Sequence, residues 1–165
     1  MSKVGIFFGS DTGNTESIAK RIAAKVEGDV FNVADAPSAA LAEYDNLIFG
    51  SSTMGLGDLQ DDWDDFLASV KDADLSGKVV SIFGLGDADS YPDTFVDGVG
   101  TIYEVVKDKG CKIVGSVSTD GYDFDESTAV VDGSFVGLPL DEDNQDDQTE
   151  ARLDAWIAKI TPEFI

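Results

Sequence analysis

Phe7-Phe8-Gly9-Ser10-Asp11-Thr12-Gly13-Asn14-Thr15-Glu16 is the stretch whose reading decides the fold. An apolar run, Val4 to Phe8, stops at a cluster of small hydroxyl residues and glycines, and Ile18, Ile22, Ala23 and Val26 follow at helical spacing. The pattern predicts a strand, a loop and a helix. Such a loop gathers backbone N–H groups and hydroxyls at the positive end of a helix dipole, an arrangement suited to an anion. Helix capping alone would need fewer Ser, Thr, Asn and Gly residues. A triphosphate loop of the G-x-x-x-x-G-K-[ST] type is excluded, because Gly9 and Gly13 are followed by Asn14 where that loop needs Lys. Neutral donors suit a terminal monophosphate, and the reading narrows to a mononucleotide such as FMN.

Working outward, the same rhythm repeats. Val30 to Val33 reads as a second strand, with a weak helix at Ser38 to Ala42 in the crossover. Leu47-Ile48-Phe49 forms a third, opening into Ser51-Ser52-Thr53-Met54-Gly55-Leu56-Gly57-Asp58. In the helix expected over Gln60 to Val70, Trp63, Phe66, Leu67 and Val70 share one face and Asp61, Asp62, Asp64 and Asp65 lie elsewhere. Val79 to Phe83 reads as a fourth strand, followed by Gly84-Leu85-Gly86-Asp87 and Tyr91, with a long helix marked by Phe95, Val99, Ile102, Tyr103 and Val106 and ending at Gly110. Lys112 to Val117 resembles a fifth strand, which Ser118 to Gly133 interrupts before Ser134 to Leu140 resumes it. The acidic run 141–147 is expected to be a solvated loop, and a last helix runs from Thr149 to Ile160. Trp63 and Trp156 sit at core spacing and read as packing residues.

Near-continuous apolar strands alternating with helices predict an α/β, three-layer, doubly wound parallel sheet of five strands. Ligands in such sheets bind beyond the carboxyl ends of the strands, where three unusual loops follow strands one, three and four. The 165 residues suit a single domain, 1–165. Lys and Arg total 11 against 33 Asp and Glu, a net charge of −22 that disfavours nucleic acid and anionic membranes and suits partners with basic faces. With no His, the side chain most used for acid–base work near neutral pH is missing, so hydrolytic catalysis is not expected. Cys111 is the only cysteine, which fits a reducing compartment. With neither an export signal nor a membrane-length apolar run, the chain is expected to be cytoplasmic.

Gly9 to Thr15, Gly57-Asp58-Leu59-Gln60 with Asp62-Trp63, Gly86-Asp87 with Tyr91, and the segments 118–122, 135–138 and 141–145 together resemble the flavodoxins, specifically the long-chain group. The resemblance covers essentially the whole chain. It implies the sheet order 2-1-3-4-5, with the long-chain insertion in the last strand, and non-covalent FMN. It puts Ser10, Asp11, Thr12, Gly13, Asn14 and Thr15 around the phosphate. Thr53, Met54, Gly55, Leu56 and Gly57 would lie against the dimethylbenzene side and N5 edge of the flavin. Leu85, Gly86 and Asp87 would meet the pyrimidine edge, and Tyr91 would stack on the outer face. Met54 departs from the Trp of many long-chain members and offers a more flexible cover.

The implied function is low-potential one-electron transfer between redox proteins, with no catalytic or metal-ligating residue and a monomeric chain. Partners on this reading are basic-faced proteins such as a ferredoxin/flavodoxin-NADP reductase, a pyruvate oxidoreductase or a nitrogenase system. An FMN-dependent NAD(P)H:quinone reductase on the same fold is the rival reading; it needs an accessible place for nicotinamide, which Tyr91 would occupy. A phospho-acceptor receiver domain is rejected, because strand three ends in Gly50-Ser51-Ser52 without the required Asp.

Overall fold

The computed structural model describes residues 4–9, 13–54, 58–59 and 61–165. Strand β1 (Val4–Gly9) is followed by helix α1 (Asn14–Val26). β2 (Asp29–Asn32) and a 3₁₀ turn at Ser38–Glu43 precede β3 (Asn46–Met54), and a two-residue β4 (Asp58–Leu59) folds back antiparallel on its end. Next come α2 (Asp62–Asp72), β5 (Val79–Leu85) and α3 (Asp97–Val106). The short strands β6 (Lys112–Ile113), β7 (Val117–Ser118), β8 (Val130–Val131), β9 (Ser134–Phe135) and β10 (Leu138–Leu140) follow, before α4 (Thr149–Ile160) closes the fold. The helices expected from residues 60 and 95 thus begin slightly later, at Asp62 and Asp97, and the second ends at Val106, with a turn in place of helix up to Gly110.

The main sheet runs β2-β1-β3-β5, all parallel, and its fifth place is filled by two pieces. β6 pairs with Val79 and Val80, and β10 pairs with Phe83 to Leu85, so the expected order 2-1-3-4-5 holds with the last strand cut in two. Between the pieces the chain leaves the sheet and makes a small antiparallel sheet, β7-β9-β8. The exit is at Gly115, whose φ of +93° suits a residue without Cβ. A Cβ there would lie 2.5 Å from Trp156 Nε1, which instead donates to the Gly115 carbonyl at 2.9 Å.

Alternation along each strand feeds two cores. Phe7, Phe49, Val80 and Ile82 face one layer with Trp63, Phe66, Val99 and Ile102 from α2 and α3. Ile6, Phe8, Ile48, Phe83 and Leu85 face the other, against Ile18, Ile22, Leu153 and Trp156 from α1 and α4. Trp63 is wholly buried and donates from Nε1 to the Gly50 carbonyl at 2.8 Å, and Trp156 is buried as well, so both indoles are packing residues with a satisfied N–H. The parallel strands β1, β3 and β5 therefore end at the same sheet edge.

Candidate functional site

A cleft of about 210 Å³ opens at that edge. Asn14 and Thr15 line it from the start of α1, Ser52 and Thr53 from the end of β3, and Leu85, Gly86, Asp87 and Tyr91 from the β5 loop. Glu142 and Asp143 complete the lining from the segment after β10. α1 begins after Gly13, which has φ +90° and no side chain with which to cap the helix. The first N–H groups of a helix have no carbonyl partner within it and carry its positive dipole end. Thr15 is 1% exposed and lines the cleft beside them, so its hydroxyl sits in a place already shielded from bulk water. Of the lining from β5 and the loop after it, Leu85 is buried and apolar, while Tyr91 is 41% exposed.

The cleft walls are tied together by hydrogen bonds from neighbouring elements. The Gly98 N–H at the start of α3 donates to Thr53 Oγ1 at 3.0 Å. The β5 loop is pinned by Gly86 N–H to the Leu140 carbonyl at 3.0 Å and by Ala88 N–H to Asp141 Oδ2 at 3.1 Å. Asp87 Oδ1 accepts from the Ser90 N–H at 3.0 Å and from Asn144 Nδ2 at 2.9 Å. Asn144 also donates from Nδ2 to both Asp141 oxygens, at 3.1 and 2.9 Å. Of the run 141–147, expected to be a solvated loop, Asp143, Asn144, Asp146 and Asp147 are exposed, and the correction falls on Asp141, which is 1% exposed and staples the β5 loop because it can satisfy N–H groups that no strand partner reaches.

The electrostatics of this wall are uneven. Burial pushes the Asp87 carboxyl up, but hydrogen bonds from Asn144 and the Ser90 and Asp89 region outweigh it and hold the group below the ordinary carboxylate value. Asp143 moves the other way, raised first by burial and then by repulsion from Asp87 and Asp141. Carboxylate oxygens of these three residues lie within 4.8 Å of one another, so negative charge is concentrated where Leu85 to Asp87 border the cleft. One Glu142 carboxylate oxygen is buried and has no hydrogen-bond partner among the described residues.

The family model described as Flavodoxin matches residues 6–156. The chain belongs to the flavodoxin family. It is 45% identical over 168 residues to the flavodoxin of Picosynechococcus sp., covering 99% of both chains, and 44% identical over 165 residues to that of Helicobacter pylori, again covering 99% of both. A solved structure of Fusobacterium nucleatum flavodoxin bound to flavin mononucleotide is similar with a TM-score of 0.95 and 34% identity, covering 100% of each chain.

Within this flavodoxin fold, Asn14, Thr15, Thr53, Leu85, Gly86, Asp87 and Tyr91 of the expected site residues meet in the cleft, and Gly13 directly precedes it. Ser10, Asp11, Thr12, Gly55, Leu56 and Gly57 lie outside the described residues, as does the Met54 side chain, although the Met54 backbone ends β3. Sequence reasoning missed Ser52, Glu142 and Asp143 as cleft residues. Ser52 carried a signal, since it stands in the hydroxyl-rich run after β3. The two acidic residues carried none, since only the pairing of β10 with β5 brings their segment to the cleft.

Proposed function

We propose that the chain is a one-electron carrier that binds FMN non-covalently in this cleft and exchanges electrons with redox proteins rather than turning over a substrate of its own. The observation that carries the reading is the union, in one cleft, of a helix start with a buried hydroxyl and a wall built from Leu85, Gly86 and exposed Tyr91. The donor set fits a phosphate ester at the α1 end, and the apolar and aromatic walls fit a flat ring system at the other. When bound, FMN supplies reversible one-electron chemistry at low potential, and the protein supplies binding, orientation and field.

On this reading Asn14 and Thr15, together with Ser10, Asp11, Thr12 and Gly13, donate to the phosphate. Tyr91 covers one face of the ring and excludes water from it. The segment 53–57 borders the other side, and the backbone of Leu85, Gly86 and Asp87 meets the polar edge. The carboxylates of Asp87, Asp141 and Asp143 disfavour added negative charge in the cleft. At ~10 Å and near-water screening, one carboxylate costs such a charge roughly 0.4 kcal/mol, or about 20 mV for one electron. That direction lowers the potential at which a second electron is accepted.

The acidic exterior, with exposed Asp61 just before α2 and exposed Asp64 and Asp65 on it, supports docking to basic-faced redox partners of the ferredoxin/flavodoxin-NADP reductase or pyruvate oxidoreductase kind. No described helix is long and apolar enough to cross a membrane. The test is reconstitution of the purified protein with FMN, followed by stepwise reduction under anaerobic conditions and an assay of NADPH oxidation by the protein alone. Tight FMN binding, two separated one-electron steps and no NADPH oxidation are expected. NADPH oxidation without a reductase would replace the carrier reading with that of a quinone reductase.

A further inference from the structure

The β5–α3 loop that carries Asp87 and Tyr91 ends in a strained residue. Val96 has φ +47° and ψ 34°, is wholly buried and is β-branched, a combination the left-handed region disfavours. Such a conformation persists only where the surroundings over-determine it, and here those surroundings come from the inserted segment between β7 and β8. The Asp125 and Glu126 N–H groups donate to the Pro92 carbonyl at 2.8 and 2.9 Å, one residue after Tyr91. The Phe95 N–H donates to the Glu126 carbonyl at 3.3 Å, and Ser127 Oγ donates to the Phe95 carbonyl. Thr128 closes the set: its N–H donates to Asp97 Oδ1 at 2.8 Å and its Oγ1 to the Asp97 carbonyl at 3.3 Å.

Packing runs in parallel with these bonds. Phe95 lies 5.6 to 6.1 Å from the rings of Tyr122, Phe124 and Phe135, all beyond β6. A Cβ at Gly86 would come within 3.0 Å of the Val96 nitrogen, so Val96 abuts the cleft loop directly. Immediately after Asp97, the Gly98 N–H reaches Thr53 Oγ1 on the other cleft wall. Asp97 is 9% exposed and occupies the junction between the insertion and both walls.

We propose that Asp97 is a positioning residue for the cleft: through Thr128 it locks the inserted segment onto residues 92–97 and so holds the Tyr91 and Thr53 walls at ring-binding separation. This rests on the FMN reading for its consequence, but the lock itself is a property of the protein chain. The insertion thereby acts on the cofactor site without lining it.

The decisive measurement is hydrogen exchange on the protein without flavin, because it requires no ligand. Asp97→Ala is expected to speed amide exchange across 88–96 by about tenfold or more while β1 and β3 keep their protection. Asp97→Asn, which retains an Oδ1 acceptor, should restore the parent rate. In FMN and riboflavin titrations, Asp97→Ala should weaken both by a similar factor of about ten, since a displaced ring wall affects both ligands whereas a phosphate contact affects only one. Should Asp97→Ala fail to fold, Thr128→Pro at its exposed position decides the matter, because it removes the N–H that Asp97 Oδ1 accepts, with an expected acceleration of about two- to fivefold confined to 88–96. Unchanged exchange there in the folded variant overturns the proposal. Failure of the parent protein to bind FMN would overturn the proposed function instead, and the exchange result would still judge the lock.

Discussion

Thr15→Val tests the phosphate end of the cleft with little disturbance elsewhere. Thr15 is the second residue of α1, is 1% exposed and lines the cleft, so the substitution exchanges one hydroxyl for a methyl group of nearly the same volume in a shielded place. Helix propensities of Thr and Val are close, and Ile18 and Ile22 anchor the same helix in the core, so the fold should survive. What is lost is one hydrogen bond to a doubly charged group, worth about 1.5–3 kcal/mol, while the backbone N–H groups of the first turn remain. That corresponds to FMN binding weaker by about 13- to 160-fold. Riboflavin has no phosphate and should lose less than about threefold on the same scale. Fluorescence titration of the parent and variant with both ligands measures the difference. Equal losses for FMN and riboflavin, or no loss for FMN, would refute the assignment of the phosphate to α1.

The Asp61→Lys, Asp65→Lys double variant changes the exposed acidic face at the start of α2, and it should slow electron transfer with a basic reductase and flatten the dependence of the rate on ionic strength; an unchanged salt slope in stopped-flow traces would place docking elsewhere. Asn144→Ala removes the amide shared by Asp87 and Asp141 and is expected to cost about 1–3 kcal/mol at neutral pH by urea denaturation. The Asp87 carboxyl is held below its ordinary value, so its stabilisation is present above the unfolded pKa of about 3.9 and is lost as pH falls through the lower folded value. The penalty of Asn144→Ala should therefore shrink on acidification, and an equal penalty at pH 7 and pH 3 would contradict the role given to Asp87. Gly50→Ala would place a Cβ 2.0 Å from Phe83 Cζ in the middle of the sheet, and a loss of at least about 1–3 kcal/mol is expected in the same assay; a neutral effect would mean that the Phe83 ring can move aside.

Much of the architecture was legible because it rests on local and periodic signals. Apolar runs at Val4–Phe8, Leu47–Phe49 and Val79–Phe83 become adjacent parallel strands, and their alternation sorts Phe7 from Ile6 and Phe8 into opposite cores. The hydroxyl-rich stretch before α1 and the Leu85 to Tyr91 stretch point to a cleft edge, because loops after parallel strands all emerge at one side of the sheet. The insertion that divides the fifth strand was legible as an interruption after Val117, although two-residue strands such as β6 and β9 are too short to show a period of their own. Two features escaped that reading. Asp141 looks like its acidic neighbours in the chain, and it is buried only because β10 delivers it beneath Ala88. The strained Val96 is invisible to propensity, since a β-branched residue adopts φ +47° only when contacts from the insertion, distant along the chain, outweigh its local preference. The sequence by itself therefore determined the strand and helix rhythm, the sheet class and the chemistry of the cleft loops, all of which follow from near neighbours along the chain. Only the tertiary structure decided which acidic groups enter the cleft and what holds its outer wall, because both depend on hydrogen bonds between residues that the fold alone brings within reach.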